Sequence, residues 1–423
     1  MKNPSKLFWL AVTFTASCFA LGLALWTYQM LKGMGVSGLN SPVGWGVYIT
    51  NFVFWVGIAH SGTLISAVLY LFRAKSFRSS FNRAAEAMTV FAVMTAGLFP
   101  LIHLGRAWFF FWLLPYPNER LLWVNFRSPL EWDVFAISTY LTVSVVFFYV
   151  GLIPDLAIAK RVTTGVRKWA YGIFSLGFTG TLNQWRHYDK YYMFLAAFAT
   201  PLVVSVHSVV SWDFAMAIVP GWHTTIFAPY FVAGAIFSGT AMVITLVVPM
   251  RRFLKLHRHI TVDHFDNLAK IMLFTSMIVT YSYFVEFGLS IYSNNVYEAG
   301  AFINRAVGDY RFHYYGMVAC NSAIPLLLFV RKWRRNINFL FVMSFFVNIG
   351  MWLERFVIIS SSLAHEFLPY AWGFYKPTWV EAGITLGSFG FFFTFFLLFT
   401  KFLPVIAITE LKETADEHGP PRI

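Results

Sequence analysis

Seven ionisable residues of this 423-residue chain fall inside apolar segments: His60, His103, Asp133, Asp213, Glu286, Glu354 and Arg355. A charge near the centre of a bilayer costs about 2.5–3.5 kcal/mol on insertion scales, so such residues persist where they pair with one another or handle protons. Carboxyl and imidazole groups are the side chains best suited to proton exchange with a bound molecule. This set therefore points to a polar cavity in which protons, and with them a redox-active molecule, are handled.

His103 and Arg106 stand at i, i+3 spacing behind Pro100, which predicts one shared helix face. An arginine in that place also has the option of snorkelling to the interface. The next apolar segment enters from the same side with Glu131-Trp132-Asp133. Consecutive helices joined by a modest loop are neighbours, so His103 is expected to face Asp133 across a small cavity. A purely structural hydrogen bond would join the same two residues. His60 lies mid-segment beside Ser61 and Thr63, where a neutral imidazole bonded to a neighbouring helix is the plain alternative to chemistry. His207 and Asp213 are six residues apart and do not share a helix face. Glu286 follows Tyr281 and Tyr283. Glu354 and Arg355 point about 100° apart on one helix, so each is expected to have a partner elsewhere. Asp213, Glu286 and Glu354 are candidates for a proton pathway. Glu86, Asp155, Asp263 and Asp266 are expected to be solvated helix ends.

Metal chemistry has no donor set. Cys18 and Cys320 stand alone, and there is neither a CxxC nor a His/Cys cluster for an iron–sulphur cluster or structural zinc. Haem b needs two facing histidines, for which only His103 and His207 offer a pair, and haem is not favoured. Walker A and dinucleotide fingerprints are missing as well. The chain is expected to carry no electron carrier of its own.

The elements that must position these residues follow from composition. Hydrophobic residues make up 58% of the chain and charged residues 12%, and mean hydropathy is +0.61. Soluble domains carry about 25% charged residues, so an all-α integral membrane protein is expected. A crossing needs about 20 apolar residues, and ten segments qualify: 8–30, 48–72, 85–112, 131–152, 192–219, 228–250, 268–292, 312–330, 337–359 and 378–403. The first, behind Lys2 and Lys6, is longer than the apolar core of a signal peptide and reads as a true crossing.

The net charge of +13 is explained by topology rather than by nucleic acid. Lys32, Arg106, Arg120, Arg127, Arg305, Arg311 and Lys376 lie on one side of the ten crossings. Apart from the intramembrane Arg355, all the other Lys and Arg lie on the opposite side, in the two termini, in loops 73–84, 153–191, 251–267 and 331–336, and, for Lys270, at the start of the segment after 251–267. The positive-inside rule then makes both termini cytoplasmic. It puts the seven ionisable residues at mid-depth or in the outer half of the membrane.

Gly57 and Ser61-Gly62-Thr63 recur as Gly234 and Ser238-Gly239-Thr240, an offset of 177 residues that spans four crossings. An even number of crossings predicts parallel repeats. Helices 2–5 and 6–9 are then two four-helix bundles, with helices 1 and 10 peripheral. Small residues that merely ease helix packing would recur too. His60 has Phe237 as its counterpart, which directs the chemistry to the first bundle. The units are 1–40, the peripheral first helix; 41–219, the first bundle with the site; 220–360, the second bundle; and 361–423, the last helix and tail.

Gly44-Trp45, Asn51-Phe52, Trp55-Val56-Gly57 and His60-Ser61-Gly62-Thr63 resemble the NrfD family, the membrane subunits of polysulphide-reductase-like enzymes. The resemblance continues through Arg83-Ala84-Ala85-Glu86, Phe99-Pro100, His103-Leu104-Gly105-Arg106 and Trp132-Asp133-Val134-Phe135. Pro220-Gly221-Trp222-His223 and Asn348-Ile349-Gly350-Met351-Trp352-Leu353-Glu354-Arg355 are similar to one branch. That branch holds the QrcD subunit of menaquinone reductases and the ActC subunit of alternative complex III. The resemblance covers nearly the whole chain. It implies a menaquinone or menaquinol site near the periplasmic face of a bacterial inner membrane. It also implies a periplasmic iron–sulphur subunit docked above that site, with molybdopterin-enzyme-like and multihaem cytochrome c subunits in the same complex. Carried over by position, His103 and Asp133 are the catalytic candidates, and His60, Arg106, Asp213 and Arg355 complete the quinone site. ActC subunits usually carry a longer N-terminal extension than this chain, which favours the QrcD-like reading, quinone reduction. A non-catalytic membrane anchor and a secondary transporter are the rival classes. Transporters place their sites at the midplane between repeats, whereas these charges are skewed outward.

Overall fold

Hydrocarbon offers the backbone no hydrogen-bond partner, so an apolar chain of this composition satisfies its amides within helices. The computed structural model describes residues 5–71, 75–115 and 127–407, and all regular structure among them is helical. Lys2, Arg73, Arg120, Lys412 and Arg422 of the charge distribution lie outside the described residues.

In order, the helices are α1 (Lys6–Lys32), α2 (Val47–Leu71), α3 (Lys75–His103), α4 (Pro129–Val162), α5 (Gly165–Phe174), α6 (Leu182–Ala215) and α7 (Phe227–Phe253). There follow α8 (Val262–Tyr292), α9 (Val296–Val307), α10 (Arg311–Val318), α11 (Arg331–Arg334), α12 (Ile337–Phe356), α13 (Ser362–Ala364) and α14 (Trp379–Phe402). A π turn over Ala319–Ala323 extends α10, and a second over Val357–Ser361 joins α12 to α13. Among the described residues nine helical stretches are long and apolar enough to cross a membrane. The sequence of α2, 25 residues long, holds no Asp, Glu, Lys or Arg. The protein is an all-helical integral membrane protein.

Several boundaries differ from those expected. α3 starts at Lys75, α4 runs on to Val162 and α6 starts at Leu182, so much of the expected loops 73–84 and 153–191 is helix. An apolar run measures hydrocarbon thickness, whereas helical hydrogen bonding continues into the interface. At its other end α3 stops at His103 rather than near 112. Gly105 takes the left-handed conformation at φ +74°, and a side chain there would press on Met34. A left-handed glycine just past the last turn is a common helix stop.

α2 is the central rod, packed on α3, α6 and α7 and touching α12 and α14. Trp55, Val56, Ile58 and Ala59 on it are wholly buried. Contacts of α4 with α3 and α6, and of α7 with α8 and α12, build the mass on either side. α1 packs mainly on α14, antiparallel, with Gly22 and Gly387 meeting backbone to backbone and Thr394 donating to Thr15 at 2.9 Å. Without a hydrophobic force between helices in lipid, this close approach of small residues supplies the packing.

The two recurring motifs lie against each other. Ser61 and Thr240 hydroxyls are 3.2 Å apart, and a Cβ on Gly57 would stand 3.6 Å from the Ser238 hydroxyl. A side chain on Gly239 would collide with Ser61. The small residues thus form the α2–α7 seam.

Candidate functional site

The polar groups collect where α3, α6, α8 and α12 end and α4 and α7 begin. Asp133 sits one turn into α4, after Pro129 at the helix start, and Asp213 sits near the end of α6. Their carboxyl groups are close neighbours. Ionised carboxylates only accept, so a hydrogen bond between the two forms only when one of them carries a proton. The remaining Oδ1 atoms of Asp133 and Asp213 are buried without a partner. The expected partner for Asp133 was His103; the structure provides Asp213. α4 and α6 pack along their lengths, and Trp132 meets Trp212 edge-on with centroids 6.2 Å apart beside the pair.

His103 closes α3, and its Nδ1 is buried without a hydrogen-bond partner. Arg106 does not share its helix face. The break at Gly105 leaves Arg106 exposed, with φ −111° and ψ 88° at the start of the following 3-10 turn. The i, i+3 rule needs a continuous helix, and here there is none.

His60, 1% exposed, bonds through Nδ1 to the Val56 carbonyl one turn earlier. A carbonyl only accepts, so Nδ1 carries the hydrogen and Nε2 keeps its lone pair, buried and unpartnered. The ring stacks on Tyr140 at 4.9 Å and lies 4.6 Å from the His207 ring. Tyr140 donates its hydroxyl to the Ala59 carbonyl at 2.9 Å, which holds the stack in place. His207 is wholly buried, with both ring nitrogens unpartnered. His207 and Tyr140 were not singled out as site residues from the sequence.

From His207 the rings continue into the second half. Phe231 lies 5.9 Å from His207, and the Arg355 guanidinium lies over the Phe231 ring at 4.4 Å. Arg355 bonds to Glu354, its neighbour in sequence. For Arg355 this corrects the expectation of a partner elsewhere, the long side chains curling back over the 100° between them, whereas Glu354 does find partners on other elements. Glu354 also accepts from the Tyr283 hydroxyl, and from Asn321 at 3.4 Å. Asn321 is presented by the first π turn, where the widened helix turns it inward. Beyond lies a cavity of about 20 Å³, the size of one water, lined by Tyr230, Tyr283, Glu286, Arg305 and Tyr314. Glu286 Oε1 is buried there without a partner.

Arg305 on α9 was expected in an outer loop. It is 3% exposed, stacked on Phe302 at 4.3 Å, and donates to Ser362 at 2.6 Å and Gly221 at 3.0 Å. Burial pulls its guanidinium below the usual value, with Glu286 opposing. Glu381 at the start of α14, wholly buried, accepts from Tyr375 at 2.6 Å and from the Gly38 amide at 2.9 Å.

The other ends of the helices hold ion clusters. Arg83 meets Glu86 at 2.9 Å and Asp155 at 3.0 Å, all essentially buried, and Tyr192 donates to Glu86 at 2.5 Å. Arg334 and Lys270 hold Asp266 at 2.6 and 2.9 Å. Of the four carboxylates expected to be solvated, only Asp263 is exposed. The extra helical turns of α3 and α4 bring Glu86 and Asp155 together on Arg83, and Asp266 on α8 is covered beside Arg334. Among the described residues no group of three or more His, Cys, Asp or Glu is arranged to hold a metal ion.

Residues 35–365 match the family model described as polysulphide reductase, NrfD, well over half of the chain. The chain belongs to the NrfD family. The NrfD match ends just past α13, leaving α14 outside it. Similar proteins include a putative dimethyl sulfoxide reductase membrane subunit of Halobacterium salinarum, 25% identical over 90% of this chain and 87% of that protein. A selenate reductase subunit of Mesobacillus selenatarsenatis is 23% identical, with 98% and 97% covered. An Hdr-like menaquinol oxidoreductase integral membrane subunit of Archaeoglobus fulgidus is 21% identical, with 87% and 83% covered. These relatives are named as subunits of oxidoreductase complexes, in keeping with a chain that serves as the membrane subunit of a redox complex.

Proposed function

We propose that this NrfD protein is the quinone-reactive membrane subunit of a respiratory complex, exchanging electrons between a periplasmic iron–sulphur partner and menaquinone. The observation that carries the reading is the buried Asp133–Asp213 carboxyl pair with unpartnered oxygens, at the same helix ends as the unpartnered His103 Nδ1. Menaquinol in the name of the Archaeoglobus relative, and reductase in the names of the other two, support it.

Reducing a quinone to a quinol takes two electrons and two protons. The partner supplies the electrons, and this chain supplies proton donors at the two carbonyl oxygens. A carboxyl pair holding one proton donates it and is left as a pair of anions, which favours prompt reprotonation from the next group. His103 is the donor for the second carbonyl, while His60, His207 and Arg355 line the inner wall. Asp213 and Glu286 would relay replacement protons, the latter through its water-sized cavity, while Glu354, with its bonds filled, holds Arg355 in place. Quinone reduction, as in the QrcD branch, is the favoured direction; the same groups run in reverse serve quinol oxidation of the ActC kind.

The proposed frame has ten crossings with α2 included, two four-helix units meeting at the α2–α7 seam, and both termini on the cytoplasmic side of a bacterial inner membrane. The Arg83 and Asp266 clusters then face the cytoplasm, and the carboxyl pair faces the periplasmic partner.

The test uses the assembled complex. Asp133→Asn and His103→Ala should each lower quinone-dependent electron transfer by about 10²-fold, the lower end for a positioned acid or base, with inhibitor binding weakened and the set of assembled subunits unchanged. Normal turnover in both variants would leave the anchor reading.

A further inference from the structure

On the helix ends opposite the carboxyl pair, α4 leaves its apolar span and the short α5 turns across it. α5 is strongly amphipathic. Val166, Trp169 and Ile173 fall at i, i+3 and i+7 and are exposed by 81%, 69% and 48%. The other side is anchored: Tyr171 is buried and donates to the Phe402 carbonyl at the end of α14. A helix tied down on one side with tryptophan and aliphatic side chains standing off the other has the form of one lying in the membrane interface.

Along α5, beside Lys160 of α4, lies an open, groove-like cavity of about 460 Å³ lined by Lys160, Gly165, Lys168, Trp169, Gly172 and Ile173. Its polar groups are two ammonium ions and its walls are apolar. Gly172 creates the room: a Cβ there would come within 3.3–3.4 Å of the Lys160 Cε and Nζ atoms. Gly165 at φ +64° makes the turn that brings Lys168 back towards Lys160. The charged residues that line the cavity, Lys160 and Lys168, have one sign. Residues 156–188 hold Lys160, Arg161, Arg167, Lys168 and Arg186 and not one Asp or Glu.

We propose that this cavity is a binding site for one anionic phospholipid. The headgroup phosphate sits between Lys160 and Lys168, and the acyl chains run over Trp169 and Ile173 into the bilayer. A phosphate answers the paired ammonium groups, since the nearest carboxylate in sequence, Asp155, is held by Arg83, and hydrocarbon answers the exposed stripe beside them. Basic pockets of this form at the cytoplasmic leaflet suit phosphatidylglycerol or cardiolipin headgroups. The site lies at the far end of the molecule from the carboxyl pair and does not depend on quinone chemistry; only its leaflet follows from the proposed orientation.

Native mass spectrometry of the purified, delipidated complex would test it, with dioleoyl phosphatidylglycerol, dioleoyl phosphatidylcholine and inorganic phosphate added separately. The expected result is retention of phosphatidylglycerol at least tenfold above phosphatidylcholine, with no saturable uptake of phosphate alone. Lys160→Gln with Lys168→Gln should reduce that retention at least tenfold, and Lys160→Arg with Lys168→Arg should preserve it. Gly172→Leu, which fills the cavity and leaves both charges, should abolish it, providing a second variant should the paired Gln substitution disturb folding. Equal retention of the two lipids would overturn the proposal, as would undiminished phosphatidylglycerol in both the Gln pair and Gly172→Leu. Phosphate competing at the concentration of the lipid would also overturn it, as the mark of a free-anion site.

Discussion

Asp213, half-buried, and Glu354, wholly buried, are carboxyls near the ends of long membrane helices, yet their surroundings assign them different work. Glu354 is saturated: Arg355, Tyr283 and Asn321 all bond to it. Asp213 has another carboxyl for a neighbour and an oxygen left over. Glu354→Gln should therefore act on stability, because it strands the buried Arg355 guanidinium. Breaking a buried ion pair from one side costs about 3–5 kcal/mol, and a clear fall in the Tm of the complex is expected. Asp213→Asn should leave Tm nearly unchanged and lower quinone-dependent turnover by about 10²-fold. A loss of stability in Asp213→Asn equal to that of Glu354→Gln would assign Asp213 a structural role. Residue type and place within an apolar segment were readable along the chain, which is why the seven ionisable residues stand out in the sequence. Their partners were not, because pairing depends on helix rotation: Asp133 turned to Asp213, and Arg355 to its own neighbour.

Helices were predicted from apolar length, and that measure located each of the nine stretches long and apolar enough to cross a membrane among the described residues, while misjudging where helices stop. α3 shows both errors, beginning before its apolar stretch and halting at Gly105, well inside it. The halt separates Arg106 from His103 and removes it from the helix face on which the sequence placed it. The Gly57, Ser61, Gly62, Thr63 pattern was legible as a repeat, but that its two copies form one seam emerges only from packing. A similar reliance on small residues joins α1 to α14. Gly387→Leu should force the two backbones apart at Gly22, an overpacking cost of about 1–3 kcal/mol. A disulphide between Thr15→Cys and Thr394→Cys, whose parent hydroxyls are 2.9 Å apart, should form readily in the otherwise native chain and poorly with Gly387→Leu. Undiminished cross-linking would show that α1 is held by other contacts.

For the whole molecule, orientation carries the functional reading, because it decides which compartment the carboxyl pair faces. Thr179 and Asn295 are exposed at opposite ends of the helices. With a membrane-impermeant maleimide on intact cells, Asn295→Cys should be labelled directly and Thr179→Cys only after permeabilisation; the reverse pattern would turn the protein over. Composition and the distribution of Lys and Arg were enough to establish a helical membrane protein and to predict its orientation, since the bilayer imposes length, internal hydrogen bonding and charge asymmetry on any sequence that crosses it. The partnerships within the bundle were open until the helices packed. Whether Glu86 is solvated or held by Arg83, whether His60 meets a helix backbone or the ring of His207, and whether two aspartates stand apart or share a proton all depend on contacts between segments distant in the chain. Such contacts are set by the rotation and tilt of each helix against its neighbours, and helical periodicity in lipid constrains these only weakly because nearly every face is apolar.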